Sequence, residues 1–369
     1  GRQLGALGRR RRQRRHFSMS KRKATDAAHD EEEDKLVQTH CSHIGPRPSQ
    51  EDRLTIVDDG WSAAPDGTLA GSDSAGWPRC RFYAVFDGHL GDAVAEKASV
   101  MLWSHLQPAL IALQRRAASG DDAGGDAGAE GDAPADASAA VAPPSVGARA
   151  AAATPSAEAL TAAVREAFRA TEEQLLEQAE ERSGATAVCV LLLGDQLIVG
   201  HVGDSRAVLC HAERTVRLTE DHKPNAPAES ARIVAAGGHV TTPYARGTEN
   251  VPRLNGAFSV SRALGDAPFK LNAEGGAALS AEPDLKVLTT SAYDTFVLLA
   301  SDGLWDTGIS DHQAVAVVLE ELGVRWPRKT LRARAQAASD RLVREALLSG
   351  RCSDNVSVVL ALLGGAGEL

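Results

Sequence analysis

The stretch FYAVFDGHLG, residues 82–91, decides how this chain is interpreted. It begins as an apolar, aromatic-rich run and ends abruptly in Asp87-Gly88, the pattern of a β-strand that enters a turn. A second stretch, LLASDGLWD at residues 298–306, repeats the arrangement, with Asp302 and Gly303 directly after an apolar run. The glycine lets the backbone turn sharply and approach whatever the carboxylate binds. The sequence therefore predicts two matched strand ends that carry acidic groups.

Further acidic residues stand at the edges of apolar runs: Glu51, Asp52, Asp306 and Asp354. Carboxylates, backbone carbonyls and water are the ligands that Mg2+ and Mn2+ prefer. Several carboxylates gathered without a cation would repel one another and raise each other's pKa values, and a bound metal resolves that repulsion. A single Asp-Gly pair after a strand is more often only a turn, because turns select the same residues. Metal binding and turn chemistry are the two interpretations of this pattern.

The rest of the chain mixes strand-like and helix-like patterns. Apolar runs separated by short Gly and Asp turns predict strands at 54–57, 81–87, 185–193, 196–202, 206–210, 285–288, 296–301 and 356–362. Apolar periodicity predicts helices at 92–106, 156–181, 228–236, 311–322 and 330–348. The short turns favour antiparallel neighbours among the strands.

Length alone, 369 residues, would suggest two or three domains. We predict a disordered charged segment at 1–35, and the pattern becomes globular from residue 36 onward. Residues 117–157 are almost entirely Ala, Gly, Asp, Pro and Ser, which cannot bury enough apolar surface to offset the entropy of ordering. This stretch is therefore predicted to be a disordered insertion within the domain.

The net charge of -9 is unevenly distributed, because residues 1–23 hold ten of the 40 Lys and Arg and none of the 49 Asp and Glu. The acidic remainder argues against nucleic acid as a partner, since phosphate backbones are bound through Lys and Arg. Such a body could handle a phosphorylated substrate only if bound metal neutralised the phosphate. No run approaches the ~20 apolar residues of a membrane-spanning helix, so we expect a soluble protein without a membrane partner.

The basic head has three interpretations: a nuclear localisation patch, an Arg-rich transit peptide, or read-through of untranslated sequence with Met19 as the initiator. The five cysteines are odd in number and lack zinc or redox spacing, which fits a reducing intracellular compartment. We expect the cytoplasm or nucleus, or a mitochondrion or plastid if the head is a transit peptide. Nothing in the sequence indicates an oligomer, so a monomer is expected.

Ten motifs occur in one order along the chain. They are RPSQED (47–52), FYAVFDGHLG (82–91), SGATAV (183–188), VGDSRAVL (202–209), DHKP (221–224), RIVAAGGHV (232–240), RLNGAFSVSRALGD (253–266), AEPD (281–284), LLASDGLWD (298–306) and SDNVSVVL (353–360). Together they resemble the PP2C, or PPM, family of metal-dependent serine/threonine phosphatases, over about residues 36–365. The resemblance implies one domain over residues 36–365 in place of the two or three that length suggests. Its fold would be α+β with four layers, an α-β-β-α sandwich in which two antiparallel β-sheets are flanked by helices.

The resemblance also implies a metal centre that holds two Mg2+ or Mn2+ ions. Asp87 resembles the aspartate that bridges the two ions, and Gly88 resembles the residue that lends its backbone carbonyl to one of them. Asp302 and Asp354 resemble the carboxylates that complete the second ion's shell. A pair of cations can lower the pKa of a shared water toward neutrality, which supplies a nucleophile at cellular pH.

Other positions match residues that surround the metals. Glu51 and Asp52 fall where the family supports metal-bound waters. Arg47 resembles the arginine that grips the substrate phosphate, for which a guanidinium can form two parallel hydrogen bonds. His89 resembles the general acid that protonates the leaving alkoxide, a role that suits histidine near neutral pH. Residues 220–256 correspond to the variable flap beside the family's active site.

Some positions keep a second interpretation. Asp204 and Asp306 match positions linked to a third, more weakly held metal, but Asp204 could equally make only a hairpin turn. Arg262 and Asp266 are expected to pair with each other within the flap region. Leu90 replaces the glycine common in the family. Leucine is disfavoured there if the backbone needs a positive φ, and costs little if the position already begins the helix.

The resulting hypothesis is a protein phosphatase that uses water to hydrolyse phosphoserine and phosphothreonine, with phosphorylated proteins as its substrates. Two alternatives remain open. One is a pseudophosphatase, a binding module of the same fold that docks phosphoproteins. The other is a metal-dependent phosphatase that acts on a small phosphorylated metabolite, since the flap and not the metal site would select the substrate.

Overall fold

The computed structural model describes residues 37–62, 76–119, 154–242, 251–272, 276–323 and 330–364. The predicted disordered segment at 1–35 lies outside these ranges, as does most of the predicted insertion at 117–157. Residues 117–119 end a helix and residues 154–156 lead into the next one, so the prediction of disorder does not hold for these residues. Ala117 is buried, which is why the helix extends that far.

Thirteen strands are present in the described ranges. They are β1 (Gln38–His43), β2 (Arg53–Val57), β3 (Cys80–His89), β4 (Gly184–Leu193), β5 (Gln196–Val202), β6 (Arg206–His211), β7 (Arg214–Arg217), β8 (Val240–Thr241), β9 (Arg253–Leu254), β10 (Leu264–Gly265), β11 (Asp284–Thr289), β12 (Asp294–Ala300) and β13 (Val356–Leu362). The predicted strands are all found, while β1, β7 and the three two-residue strands were not predicted.

The same ranges contain seven α-helices. They are α1 (Ala93–Ser119), α2 (Ala157–Leu176), α3 (Pro227–Ala235), α4 (Ala267–Asn272), α5 (Asp302–Trp305), α6 (Asp311–Gly323) and α7 (Leu331–Leu348). The predicted helices are all found, but α1 continues through Pro108 for 13 residues beyond its predicted end at Leu106. Helix α2 ends at Leu176, five residues before its predicted end at 181. Ser156 and Thr330 cap α2 and α7 by accepting backbone N–H groups of the first turn, at 3.2 Å in each case. None of the described helices is long and apolar enough to span a bilayer.

Two antiparallel sheets organise these elements. The first sheet has the strand order β1-β13-β12-β6-β7, and the second has the order β11-β5-β4-β3-β2, with β10 paired to β4. Strand β3 shows why both faces are covered: Phe82 and Phe86 point into one apolar cluster, while Tyr83 and Val85 between them point into another. Successive strand residues face opposite sides, so a strand buried on both faces is a continuous apolar run rather than an alternating one.

The layers follow from these clusters. One core lies between the second sheet and helices α1 and α2, and another lies between the first sheet and helices α6 and α7. A third core joins the inner faces of the two sheets. The chain is therefore an α-β-β-α sandwich, as predicted. A smaller cluster built on Ile233, Leu254 and Phe258 packs the flap region beside it.

Strand register brings the acidic strand ends together. Arg53, at the start of β2, pairs with Phe86 near the end of β3, so Asp52 and Asp87 lie at the same edge of the second sheet. In the first sheet Ala300 pairs with Val358, which sets the end of β12 beside the start of β13. Residues Asp302 and Asp354 therefore belong to one end of that sheet. The fold thus supplies one place where carboxylates distant in sequence converge.

Candidate active site

Three aspartates from three connections meet at this end of the sandwich. Asp87 lies near the end of β3, Asp204 in the turn between β5 and β6, and Asp302 at the start of α5. One carboxylate oxygen of each lies within 4.8 Å of the other two. The turn that carries Asp204 needs Gly203, whose φ is +94° and whose Cβ, if present, would lie 2.5 Å from Thr186. The position of Asp204 agrees with the metal interpretation as well as with a turn.

Burial and mutual repulsion change the acidity of this trio. Burial raises the pKa of Asp87 well above its usual value, and the nearby Asp302 carboxylate raises it further. The pKa of Asp302 is likewise raised well above the usual value by burial and then by Asp204. A positive charge does reach the trio, since the Lys223 ammonium lies 2.5 Å from Asp204 Oδ2. Crowded carboxylates with raised pKa values are typical of a site that binds cations.

Asp52 adds a fourth acidic side chain, one of whose carboxylate oxygens lacks a hydrogen-bond partner within the described ranges. It is buried, and its Oδ2 accepts a 3.0 Å hydrogen bond from the Ser301 hydroxyl. Its Oδ1 is also buried and has no hydrogen-bond partner among the described residues. Burial raises the pKa of Asp52 to about 6. Buried polar atoms without a partner are rare in proteins, so this oxygen fits a bound water or ion.

Gly88 and Glu51 meet through their backbones. A Cβ on Gly88 would lie 2.6 Å from the Glu51 carbonyl oxygen, so only glycine permits this approach. The Glu51 backbone N–H donates to Asn355 Oδ1 at 2.8 Å. The same Asn355 amide donates to the carbonyls of Ile44 and Ser49, at 2.7 and 2.9 Å. Asn355 therefore fixes the loop that presents Glu51, a role that sequence reasoning missed.

Arg47 and Asp354 form an ion pair at the edge of the site. The Arg47 guanidinium donates to Asp354 Oδ2, and its Nε donates to the Ser353 carbonyl at 2.9 Å. The Arg47 side chain is 47% exposed, so part of it faces solvent. Burial raises the pKa of Asp354, although the Asn355 amide and Arg47 oppose that change. The arginine predicted to grip phosphate therefore contacts a carboxylate predicted to bind metal.

Asp306 lies at the periphery of the cluster. It caps α5, where its backbone N–H donates to the Asp302 carbonyl at 2.8 Å. The residue is exposed overall, but desolvation of its carboxyl raises its pKa, against the lowering effect of Lys223. Asp306 is not one of the three carboxylates that lie within 4.8 Å of one another.

His89 is paired with an aspartate that the sequence analysis assigned elsewhere. Its Nε2 lies 2.9 and 3.0 Å from the two carboxylate oxygens of Asp266. The expected Arg262–Asp266 pair is wrong, because Arg262 binds Glu229 at 2.6 Å and Asp284 at 2.8 Å. The side chain of Asp266 is directed toward β3 and that of Arg262 toward α3 and β11. Arg262 and Asp266 are four residues apart on a segment that is not a regular helix, so their spacing in sequence does not determine whether their side chains face each other.

Leu90 has a left-handed backbone. Its φ is +58°, a conformation that glycine adopts readily and that is disfavoured for leucine. The side chain is 63% exposed, so packing does not offset this strain. Of the two alternatives for this position, the structure has the positive φ and not the start of the helix, and the strained residue lies directly after His89.

A second trio, His201, His222 and Asp284, is better explained as a support than as a metal site. The two imidazole rings are stacked, with centroids 4.4 Å apart and planes 2° from parallel, so one ion cannot lie in both ring planes. The Gly203 N–H donates to His222 Nδ1 at 3.0 Å, which leaves Nε2 to donate to Asp284 Oδ2 at 3.2 Å. Burial lowers the pKa of His222 to about 4. Arg262 neutralises the same Asp284, so these groups are already satisfied while they brace the turn at Gly203.

Comparison with known proteins identifies the family. The family model described as Protein phosphatase 2C matches residues 68–356. "Probable protein phosphatase 2C 67" of Oryza sativa subsp. japonica is 31% identical over 322 residues, covering 82% of this chain and 71% of that protein. "Probable protein phosphatase 2C 8" of Arabidopsis thaliana is 28% identical over 323 residues, covering 82% of this chain and 74% of that protein.

A solved structure shows the same fold. The structure titled "Crystal structure of serine-threonine phosphatase 2C from Toxoplasma gondii" superposes with a TM-score of 0.63 at 24% identity, covering 88% of this chain and 94% of that chain. The sandwich, with acidic residues gathered at one end, is the architecture of the protein phosphatase 2C class. This chain belongs to the protein phosphatase 2C family.

Proposed function

We propose that this chain hydrolyses phosphoserine and phosphothreonine in proteins, with a water molecule activated at a pair of Mg2+ or Mn2+ ions. The observation that carries the proposal is the meeting of Asp87, Asp204 and Asp302, from three distant parts of the chain, within 4.8 Å. Burial, and after it the neighbouring carboxylates, raise the pKa values of Asp87 and Asp302, and a divalent cation bound among them would relieve the repulsion between the ionised groups.

The proposed ligands fit hard cations because all of them offer oxygen. Asp87, the Gly88 carbonyl, Asp302 and Asp354 would hold the two principal ions. When bound, such ions neutralise substrate phosphate and lower the pKa of a shared water toward neutrality. The outer groups would hold coordinated waters or a third, weaker ion: Glu51, Asp52, Asp204 and Asp306. The unpartnered Oδ1 of Asp52 supports the first of these roles.

Arg47 and His89 are proposed to act on the phosphate ester itself. The Arg47 guanidinium, held at its Nε by the Ser353 carbonyl, keeps exposed N–H groups that can bind phosphate oxygens in parallel. His89 lies on the same strand end as Asp87 and can deliver a proton to the leaving serine or threonine oxygen. An alkoxide is a poor leaving group, so this proton transfer lowers the barrier to hydrolysis.

The experiment is phosphate release from a phosphothreonine peptide with and without Mg2+ or Mn2+. Asp87→Asn and Asp302→Asn should each reduce the metal-dependent rate by at least about a hundredfold, because each removes a ligand charge. Asp195→Asn changes an exposed aspartate in the turn between β4 and β5 and should leave the rate unchanged. Full activity of both site variants in the presence of metal would contradict the proposed mechanism.

A non-catalytic binding module is the second candidate, and the strained Leu90 beside His89 favours it. Calorimetric titration with Mn2+ followed by turnover of an aryl phosphate separates the two: a binding module takes up the ions but releases no phosphate. A panel of phosphorylated metabolites assayed beside phosphopeptides tests whether a small molecule is the preferred substrate.

A further inference from the structure

The contact between His89 and Asp266 is built into the register of three strands. His89 on β3 pairs with Gly184 on β4, and Gly184 pairs with Gly265 on β10. Asp266 follows Gly265 directly, so its side chain crosses the position of Gly184 to reach the histidine. A Cβ on Gly184 would collide with both the Asp266 carboxylate and His89 Nε2. The glycine therefore leaves open the space in which the two side chains meet.

Asp266 is held firmly and is wholly buried. Its relative exposure is 0%, and its backbone N–H donates to the Ser183 carbonyl at 3.0 Å. The preceding Gly265 N–H donates to Glu172 Oε2 at 2.8 Å, which fixes the turn to helix α2. The φ of Asp266 is +56°, a conformation that aspartate tolerates better than most residues.

The buried Asp266 carboxylate contacts His89 with both of its oxygens. Asp266 directly precedes α4, where an aspartate would normally cap the first turn with its side chain. Here both oxygens face His89 Nε2 instead, and no other donor reaches them among the described residues. The Phe258 ring meets the His89 ring edge-on, at 5.8 Å between centroids, and limits its rotation from another side. The ring is therefore oriented by protein groups before any substrate arrives.

We propose that Asp266 is a positioning residue: it accepts the Nε2–H of His89 and thereby reserves Nδ1 as the atom that passes a proton to the leaving serine or threonine oxygen. This inference rests on the proposed phosphatase function. A protonated imidazole carries a proton on each nitrogen, and the hydrogen bond to Asp266 retains the proton on Nε2, so the proton on Nδ1 is the one that the ring gives up. Retaining one ring proton and orienting the ring are what a buried aspartate contributes in a Ser-His-Asp triad, where it binds Nδ1–H and leaves Nε2 to react. Here the two nitrogens exchange roles.

The step balances without a further reactant. The water oxygen forms the new bond to phosphorus, and the bond from phosphorus to the serine oxygen breaks with its electron pair on that oxygen. His89 enters the step as the imidazolium, with Nε2–H bound to Asp266 and a second proton on Nδ1. The Nδ1 proton moves to the same oxygen, which leaves as the alcohol, and the ring is left neutral with its proton on Nε2. The proton released by the attacking water returns through solvent to His89, so one water is consumed and one phosphate is formed.

The test compares two substrates that differ in their need for a proton donor. A phosphothreonine peptide must expel an alkoxide, whereas p-nitrophenyl phosphate expels a stabilised phenolate that leaves without protonation. Asp266→Asn keeps the size of the side chain but removes its charge. It should lower kcat about tenfold or more on the peptide and less than about threefold on p-nitrophenyl phosphate. A purely structural defect would lower both rates by the same factor.

His89→Asn and Asp294→Asn are the matched comparisons. His89→Asn should show the same split between substrates, and the double variant should lose little beyond the single ones, because the two residues act as a unit. Asp294 is nearly buried and binds His211 at 2.8 Å at the opposite end of β12, so Asp294→Asn breaks a similar pair and should leave the ratio of the two rates unchanged.

The outcomes distinguish this inference from the proposed function. If His89→Asn shows the split and Asp266→Asn lowers both rates equally or not at all, the positioning role is overturned while the phosphatase mechanism stands. If His89→Asn shows no split, the general-acid role itself is wrong and the positioning role falls with it. Nitrogen-15 NMR of histidine-labelled protein gives a result that does not depend on how a variant folds. His89 should carry its proton on Nε2, and a neutral ring protonated on Nδ1 would overturn the inference.

Discussion

The ammonium of Lys223 lies 2.5 Å from Asp204 Oδ2, at the margin of the acidic cluster. Lys223 belongs to the motif DHKP at residues 221–224, but the sequence pattern does not predict its contact with Asp204. The connection depends on the Gly203 turn, which is bound to the 221–224 segment by the hydrogen bond from the His222 N–H to the Gly203 carbonyl at 3.0 Å. Lys223 offsets part of the repulsion that the cluster would otherwise experience without metal.

Lys223→Gln should therefore destabilise the protein mainly when metal is absent. Removing one partner of a largely buried ion pair leaves the other charge uncompensated, and we expect a loss of about 2 kcal/mol in free energy of unfolding with EDTA present. Saturating Mg2+ should restore most of the loss. Urea unfolding with and without Mg2+ measures both values, and Lys286→Gln on the exposed face of β11 is the control. An equal loss under both conditions would contradict this role.

The metal-free protein should lose stability as the pH rises from about 4 to about 6. The pKa of Asp52 is raised by burial from 3.8 to about 6, so the folded protein keeps a proton that the unfolded chain has already released. The state that binds more protons is favoured at low pH, and its advantage is lost as the pH passes through this window. Asp87 and Asp302, whose pKa values are also raised, extend the loss to higher pH.

Saturating Mg2+ should reverse that slope, because the ions compete with protons for the same oxygens. Urea midpoints measured across the window, with EDTA or with Mg2+, test this directly. Asp52→Asn should flatten the metal-free slope between pH 4 and 6, since it removes the group that titrates there. Identical slopes with and without Mg2+ would show that these carboxylates do not bind the metal.

The apolar runs predicted the central strands well because these strands are buried on both faces, while their arrangement as a sandwich came from the family resemblance. Such strands are long apolar runs, and β5 and β13 have the predicted bounds. Strand β1, with the sequence QTHCSH, carries no such signal and is a strand because it pairs with β13. The carboxylates proposed as metal ligands could be singled out in the sequence because each follows or precedes an apolar run. Residues that brace the site from elsewhere in the chain, such as Asn355 and Asp266, depend on register and on close approach at glycines, which local pattern does not encode.

Leu90→Gly should stabilise the protein. A leucine at φ +58° is strained, and its exposed side chain gains little from packing. The relief of about 1–2 kcal/mol exceeds the entropy cost of a more flexible unfolded chain, so we expect a net gain of about 0.5–1 kcal/mol. Thermal unfolding measures the gain. Ala212→Gly provides a comparison, because Ala212 has a φ of +47° in the hairpin turn between β6 and β7. A similar gain at Ala212 with no gain at Leu90 would mean that Leu90 makes a stabilising contact.

Arg47→Lys should impair phosphopeptide binding even though the charge is kept. A guanidinium presents parallel N–H groups to two phosphate oxygens, while an ammonium offers a single point charge and cannot keep the hydrogen bond to the Ser353 carbonyl in the same geometry. We expect KM for a phosphothreonine peptide to rise about tenfold with a smaller change in kcat, since the interaction forms on binding. Steady-state kinetics at saturating Mn2+ measures both constants. Arg214→Lys on the exposed strand β7 should change neither of them. A fall in kcat with KM unchanged would instead place Arg47 in the transition state alone.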